Sequence, residues 1–292
     1  MSNYYRPSGK FSMKSLVFFV LLCCTLYPLL GFAYAYALWY IPFIYINFFV
    51  TMLYAYLIGW GTSVVVFKYG KVRNLFLGYG LAFLATMVSL YFHWATWIDL
   101  VMNVGEFYGN KRIGISVSNV KLDEVLGLAL SPMDLFSLIK EVNEYGTWGI
   151  KGLTVSGIFL TIIWIIEFLG ILIISIFTAV GRVEVPFCEK TGEWFSEKEY
   201  APLSYIEDEA IFRKELETNN LSILENFEKV ENVKLENHSI FTLYFSKGKE
   251  YYLSIINKKG KKNKKGEIEF DDSEFITYLK VQQELVDMLN KY

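Results

Sequence analysis

The chain has 292 residues, of which 53% are hydrophobic and 18% aromatic, more apolar side chains than a soluble core of this size would use. Its formal net charge is −2, but charged residues are nearly absent from residues 15–67, 74–98 and 152–181 and crowded after residue 182. This distribution excludes a uniformly soluble protein and predicts that particular segments are buried in a membrane.

Four apolar stretches are long enough to be membrane spans, since a helix needs roughly 20 apolar residues to cross about 30 Å of hydrocarbon. They run over residues 15–36, 42–67, 75–98 and 154–180. We therefore predict an all-α membrane bundle of four transmembrane helices with a C-terminal cytosolic α+β domain. Residues 15–102 would hold the first three helices, and residues 153–181 the fourth.

The orientation of the spans follows from the positions of Lys and Arg in the short loops. Basic residues precede the first span, separate the second from the third and follow the fourth, whereas the turn between the first two spans has none. They are Arg6, Lys10 and Lys14, then Lys68, Lys71 and Arg73, and finally Arg182. This pattern predicts that both termini are cytosolic, with residues 1–14 as a cytosolic segment. Plain composition and the lack of an organelle signal favour a bacterial inner membrane.

The first span has an alternative interpretation as a secretory signal peptide. A basic start and an apolar run precede Ala33, Ala35 and Ala37, whose spacing fits a small-residue cleavage site. The run is long, contains Pro28 and carries aromatic residues up to that site, which favours a retained helix. Whether the first span is cleaved stays open at this point.

Residues 103–152 form an external loop with five Lys and Arg and six Asp and Glu residues, too polar to span a membrane. Ser131, Pro132 and Asp134 form a pattern typical of a helix start. Apolar residues then recur at helical spacing to about Asn143, which predicts an amphipathic helix. We expect this helix to pack over the mouth of the bundle, and a ligand-binding lid is the alternative.

Residues 182–292 contain 17 Lys and Arg and 22 Asp and Glu residues, as expected of a water-soluble module. The pattern predicts helices over residues 206–217 and 221–230, followed by a β-hairpin of residues 239–245 and 251–256. A short strand over 267–270 would lead into a final helix that begins at the capping sequence Asp271 to Glu274 and ends near Leu289.

A lysine-rich segment lies inside this module. It comprises Lys258, Lys259, Lys261, Lys262, Lys264 and Lys265. Such a density could bind anionic lipid headgroups, or it could be a solvated loop between two strands. The net negative charge of the module argues against nucleic acid as a partner.

The cysteines predict neither a disulfide nor a metal site. Cys23 and Cys24 are adjacent in an apolar run, so their side chains point apart. Cys188 resembles half of a zinc knuckle, but Thr191 stands where the second thiolate would be. We therefore expect no metal and no cofactor.

Glu167 is the one charged residue inside the fourth span, where an ionised carboxylate is costly and usually faces a bundle interior. Ser156 and Thr178 lie eleven residues to either side and would share its helical face. His93 in the third span shares a face with Ser89. At 1.5 Å per residue, Glu167 and His93 differ by only about 6 Å in depth, so a contact between them is sterically plausible if their helices are neighbours.

The first two spans carry similar one-sided stripes at i, i+4 and i+7. They are Tyr27, Gly31 and Tyr34 in the first span, and Asn47, Thr51 and Tyr54 in the second. Convergent stripes predict an intramembrane polar site made of Glu167, His93, Asn47 and Ser89. The alternative is interhelical hydrogen bonding that only holds the bundle together.

No nucleotide loop, nucleophile elbow or paired catalytic carboxylate motif occurs in the sequence, which favours a protein that is not an enzyme. The first hypothesis is a multi-pass inner-membrane protein whose bundle anchors a cytosolic interaction or regulatory domain, with a protein partner binding residues 182–292. The alternative is a small transporter or channel component using Glu167 and His93. Four spans are few for a transporter, so this alternative implies a homo-oligomer in the lipid bilayer.

Overall fold

A computed structural model describes residues 3–109, 114–146, 148–150, 153–225, 227–264 and 266–292. The chain divides into two compact units. Ser8–Glu184 form the helical unit, and Met1–Pro7 together with Val185–Tyr292 form the sheet unit.

The helical unit contains four helices that are long and apolar enough to cross a membrane, as the sequence predicts. They are Met13–Tyr40, Tyr45–Tyr69, Leu75–Met102 and Gly157–Glu184. In chain order the helices of this unit are α1 (Met13–Cys24), α2 (Leu26–Tyr40), α3 (Ile44–Gly61), α4 (Leu75–Met102), α5 (Leu122–Leu130), α6 (Pro132–Tyr145) and α7 (Gly157–Glu184). Its strands are β1 (Val104–Gly109), β2 (Gly114–Ser118), β3 (Trp148–Ile150) and β4 (Leu153–Val155).

The first span is broken into two helices at Thr25, where the sequence predicts one continuous helix. Pro28 has no N–H to donate to the carbonyl of Cys24, so the α-helical ladder cannot continue through this turn. The Thr25 N–H instead donates to the carbonyl of Leu22 at 3.2 Å, and its hydroxyl donates to the carbonyl of Leu21 at 2.7 Å. In α2, Pro28 stands in the first turn, where its missing N–H costs no hydrogen bond.

The second span ends as a π-helical segment, Thr62–Tyr69, which continues directly from α3. The chain then reverses through Lys71, whose φ of 52° is left-handed. Asn74 caps α4 by accepting a hydrogen bond from the N–H of Leu77 at 2.9 Å. The reversal is short, so α4 runs antiparallel to the second span.

The helices of the bundle approach one another closely at glycines. α2 packs on α4, and α3 packs on α7. A Cβ at Gly31 would lie 2.3 Å from the carbonyl oxygen of Ser89, and one at Gly59 would lie 2.5 Å from that of Ser175. No side chain fits at either position, which is the small-residue packing expected of helices in lipid.

The described residues between α4 and α7 form two β-hairpins and two helices. β1 pairs with β2, and β3 pairs with β4, both antiparallel. The stretch expected to be helical after Ser131 forms α6, which ends at Gly146 with a φ of 74°. The hairpin of β1 and β2 is held to the end of α2, because Tyr40 Oη donates to the carbonyl of Ser118 at 2.7 Å.

The sheet unit is built on a five-stranded antiparallel sheet in the order β11-β10-β9-β7, with β8 also paired to β9. Its elements are β5 (Phe187–Cys188), β6 (Glu193–Trp194), β7 (Ser196–Glu199), β8 (Leu203–Ser204), α8 (Glu209–Glu217), β9 (His238–Phe245), β10 (Tyr251–Lys262), β11 (Ile268–Val281) and α9 (Gln283–Leu289). Phe241, Leu253, Ile255 and Ile276 are fully buried in one core with residues of α8 and α9.

The long final helix predicted from Asp271 is wrong, because residues 268–281 form β11. This strand pairs with β10 from Tyr251 opposite Val281 to Lys262 opposite Ile268. Pairing between strands distant in sequence outweighs the local capping pattern, and a helix begins only at Gln283.

The helix predicted over residues 221–230 is also wrong. Among the described residues of this range, the only helical segment is a short 3₁₀ turn, Leu221–Leu224. Further along, the backbone forms hydrogen bonds outside a helix: the N–H of Val230 donates to the carbonyl of Pro202 at 2.9 Å. The preceding helix begins at Glu209 rather than 206, because Asp208 caps it by accepting from the N–H groups of Ala210 and Ile211.

The first residues of the chain form part of the sheet unit. The N–H of Lys280 donates to the carbonyl of Asn3 at 2.6 Å, and the N–H of Tyr5 donates to the carbonyl of Tyr278 at 2.9 Å. Tyr4 lies opposite Leu279 in an antiparallel bridge. The N-terminal segment therefore pairs with the edge of β11 over Tyr278 to Lys280.

Candidate intramembrane polar site

Tyr34 on α2 is the centre of a polar cluster inside the bundle. Its side chain is only 2% exposed. Its hydroxyl donates a hydrogen bond to a carboxylate oxygen of Glu167 on α7. The same hydroxyl lies 2.7 Å from Oγ1 of Thr51 on α3. Tyr34 thus joins the first, second and fourth spans.

Tyr54 on α3 extends the cluster to the third span. Its ring stacks on that of Tyr34, with centroids 4.1 Å apart and planes 6° from parallel. Its hydroxyl donates to Oγ of Ser89 at 2.9 Å, and Ser89 in turn donates to the carbonyl of Tyr27 at 2.9 Å. All four spans therefore contribute to one connected set of side chains.

His93 and Asn47 lie at the periphery of this cluster. The centroid of the His93 ring lies 4.7 Å from that of the Tyr34 ring and 5.6 Å from that of the Trp94 ring. Its Nδ1 and the Oδ1 of Asn47 are buried and have no hydrogen-bond partner among the described residues. The backbone carbonyl of Asn47 accepts from Thr51 at 2.9 Å. Two buried polar atoms thus remain able to form further hydrogen bonds.

The four predicted site residues are not joined as the sequence suggests. No hydrogen bond or ion pair connects Glu167 with His93 in the described part of the chain, although α4 and α7 are neighbours. Tyr34 contacts both instead. Ser156 lies before the start of α7 and so does not share a helical face with Glu167.

The residues that connect the site are Tyr34, Thr51 and Tyr54, which the sequence shows only as members of polar stripes. Their hydroxyls reach partners on other helices because glycine at position 31 brings α2 against α4. Stripe periodicity predicts the face on which a hydroxyl lies, but not the residue that it reaches. One sequence feature could have singled out Tyr34 as the connecting residue: it lies one helical turn after Gly31, where two helices can approach closely.

Tryptophans border the cluster on one side. Trp94 and Trp97 on α4 pack against Trp164 on α7, with ring centroids 4.8 Å and 6.4 Å from that of Trp164. The two α4 rings are themselves 5.6 Å apart. Tryptophan at this end of the spans is typical of a membrane interface.

The lysine-rich segment is mostly a strand rather than the loop considered as one interpretation. Lys258 to Lys262 belong to β10 and face the acidic residues of β11. Lys258 forms an ion pair with Asp272 at 2.9 Å, and Lys261 pairs with Asp271. Lys259, Lys262 and Lys264 are exposed, and Lys265 lies outside the described residues. Acidic partners thus offset part of the positive charge.

Cys188 is buried at the small hairpin of β5 and β6. Burial raises the pKa of its thiol, but hydrogen bonds from Thr191, from Ser246 and from the N–H of Lys190 outweigh burial and lower the pKa below its ordinary value. The described residues contain no group of three or more His, Cys, Asp or Glu side chains that could hold a metal ion.

Comparison with family models, with characterised proteins and with solved structures finds no match.

Proposed function

We propose that this protein is a scaffold of the bacterial inner membrane, in which the four-helix bundle anchors the sheet unit in the cytosol as an interaction or regulatory domain. The observation that carries the proposal is the pairing of Asn3 and Tyr5 with β11. The sheet unit is attached to the bundle twice, at residues 7–8 and at residues 184–185. A double attachment restricts the domain more than a single linker would.

The same pairing supports an even number of membrane crossings, which the orientation predicted from the basic residues also requires. Segments that share one β-sheet must lie on the same side of a membrane. Four crossings between Pro7 and Val185 satisfy this requirement, whereas three crossings do not. Cleavage after Ala35 or Ala37 would remove Asn3 to Tyr5 from the chain that carries β11, so the pairing also favours a retained first span.

The domain offers apolar side chains for a partner. Ile211 on α8 and Leu235 before β9 are 57% and 60% exposed. Single exposed apolar residues are ordinary, so these two mark positions to probe rather than a defined interface. Binding of Lys258 to Lys265 to anionic lipid stays a second prediction. The ion pairs with Asp271 and Asp272 weaken the attraction of this segment to lipid headgroups.

A photo-crosslinking amino acid at position 211 or 235, introduced in cells, tests the scaffold proposal. We expect a discrete crosslinked protein from at least one of these positions and none from the matched control Phe83, an exposed apolar residue of α4. The proposal also requires that deletion of residues 185–292 abolishes the function of the protein in the cell, seen as the same phenotype as loss of the whole protein. Absence of both effects contradicts it.

A second candidate function is permeation of a proton or small ion through the bundle. It is favoured by the Glu167 carboxylate bonded to Tyr34, beside buried atoms of His93 and Asn47 that can form further hydrogen bonds. Flux of protons or monovalent cations into vesicles reconstituted with the purified protein tests it. Glu167→Gln would abolish the flux while the protein stays folded, whereas a wild type that gives no flux refutes this candidate.

A further inference from the structure

The helical hairpin of α5 and α6 carries an apolar surface that no described part of the protein covers. One side of it packs on α4, where Val125 and Leu135 are buried against Ala95 and Ile98. The other side exposes Leu122, Leu126 and Leu130, which recur every four residues along α5. Met133 and Phe136 at the start of α6 continue it. Leu130 and Met133, which flank the turn between the helices, are 84% and 83% exposed.

The depth of this turn follows from its contact with α4. Tyr91 Oη donates a hydrogen bond of 2.8 Å to the carbonyl of Ala129, at the end of α5. Tyr91 comes 16 residues after Leu75, the first residue of α4. At 1.5 Å per residue, this is about 24 Å along the helix, less than the roughly 30 Å of hydrocarbon that a span crosses.

Tryptophans give the same depth independently. Trp94 lies one turn beyond Tyr91 and packs with Trp97 and Trp164, at the level where a membrane interface is expected. The carbonyl of Ala129 is therefore about one helical turn, or 5 Å, to the hydrocarbon side of this level. Helices that lie in an interface bury their apolar faces to about this depth.

Charge is distributed along the hairpin as such a placement requires. Between Glu124 and Lys140, the only charged residue is Asp134. It stands in the first turn of α6, where free backbone N–H groups favour a negative charge. Because a carboxylate is costly in hydrocarbon, Asp134 limits the insertion to the boundary between headgroups and acyl chains. The other charged residues of the hairpin, Lys121 to Glu124 and Lys140 to Glu144, lie at its two ends.

We propose that the turn between α5 and α6 inserts into the leaflet near the Met102 end of α4, and that lipid acyl chains cover Leu122, Leu126, Leu130, Met133 and Phe136. Acyl chains are the molecules that surround α4 at the depth of Tyr91, so the exposed apolar residues meet them without a further partner. The hairpin then fixes the depth and tilt of α4 by contacts on one side of the bundle.

Depth-dependent fluorescence quenching on the full chain tests this proposal. A single cysteine replaces Leu130, Met133 or Glu144 in a background without Cys23, Cys24 and Cys188, and it carries a polarity-sensitive fluorophore. The protein is reconstituted in phosphatidylcholine vesicles that contain a nitroxide near the carboxyl end of the acyl chain. Aqueous iodide is the second quencher. Glu144 at the far end of α6 is the matched control.

We expect the lipid nitroxide to quench labels at positions 130 and 133 about twofold more than at position 144, and iodide to show the opposite order. Equal iodide quenching at all three positions would place the turn in water and overturn the proposal. Protection of positions 130 and 133 from both quenchers would show that protein covers them, which also overturns it.

Discussion

Tyr34 and Glu167 are 133 residues apart in sequence, yet the hydroxyl of the first donates a hydrogen bond to the carboxylate of the second inside the bundle. This bond joins the first span to the last. Hydrogen bonds between helices in lipid contribute about 0.6–2 kcal/mol each. The pair therefore stabilises the arrangement of the spans whether or not it also has a role in permeation.

A double-mutant cycle of Tyr34→Phe and Glu167→Leu measures this bond, because leucine has no acceptor for the Tyr34 hydroxyl. Tyr34→Phe keeps the ring stacked on Tyr54 and removes only the hydroxyl. We expect a coupling energy of about 0.6–1.7 kcal/mol from unfolding of the purified protein in mixed detergent micelles. The matched cycle of Tyr54→Phe with Glu167→Leu should give a smaller coupling, because Tyr54 donates to Ser89 instead. Strictly additive effects in the first cycle would show that the bond does not form.

Gly31→Ala should disrupt the packing of α2 on α4. The new Cβ would lie 2.3 Å from the carbonyl oxygen of Ser89 and 2.7 Å from the N atom of His93, both backbone atoms that cannot yield. We expect a loss of stability near the upper end of the range of about 1–3 kcal/mol that is typical of overpacking a tight site. It would be measured as the thermal midpoint of the protein in detergent.

Gly80→Ala is the control for this substitution. A Cβ at Gly80 meets nothing within 4 Å. Because alanine is a better helix former than glycine, Gly80→Ala should be neutral or should stabilise α4 by up to about 1 kcal/mol. Equal thermal midpoints for the two variants would contradict the observed approach of α2 and α4.

Tyr5→Ala should loosen the N-terminal segment from the sheet unit. Its ring lies 5.4 Å from that of Tyr252 and 6.3 Å from that of Tyr278, both edge-on. Each aromatic pair contributes about 0.5–1.5 kcal/mol beyond buried area. We expect faster proteolysis of residues 3–7 in the full chain. Tyr5→Phe, which keeps the ring but loses the hydroxyl that accepts from the N–H of Phe187, should remain close to wild type.

Because of Tyr4 in the same segment, the stability of the sheet unit should depend on pH in the alkaline range. Burial, followed by the hydrogen bond to Glu217, raises the pKa of Tyr4 from 10.0 to about 12. A raised pKa in the folded protein means that protonated Tyr4 stabilises the fold. This contribution is fully present below pH 10 and is lost as the pH rises toward about 12.

The difference in tyrosinate absorbance between wild type and Tyr4→Phe reports the titration of Tyr4. Glu217→Gln should move this titration to lower pH, because it removes the carboxylate that accepts the hydrogen bond at 2.6 Å. A Tyr4 titration near its ordinary value in the wild type, or one that Glu217→Gln leaves unchanged, would show that the two residues are apart in solution.

Long-range pairing explains most of what the sequence did not predict. Apolar runs of membrane length predict the four spans because lipid imposes that length on any helix that crosses it. The secondary structure of residues 268–281 depends instead on pairing with β10, so the local helix signal at Asp271 was misleading. Three residues at the N terminus are too few to show a strand pattern. Their place on β11 therefore had no signal in the sequence.

In the candidate site too, the sequence predicts local features but not the contacts between distant residues. Glu167 is identified by its charge alone, and the stripes predict which helical faces turn inward. The residue that connects these faces depends on the distance between helices, which Gly31 and Gly59 set. Sequence periodicity carries no information on that distance, so the contact considered between Glu167 and His93 was replaced by contacts of each with Tyr34.

The central claim, a sheet unit held in the cytosol by both ends of a four-span bundle, is tested most directly by cysteine accessibility in intact bacterial cells. Single cysteines replace Phe43, Tyr69, Asn119 or Lys262, all exposed positions, in a background without Cys23, Cys24 and Cys188. We predict that a membrane-impermeant maleimide labels positions 43 and 119 in intact cells, and labels positions 69 and 262 only after permeabilisation. Labelling of position 262 from outside intact cells would contradict the account.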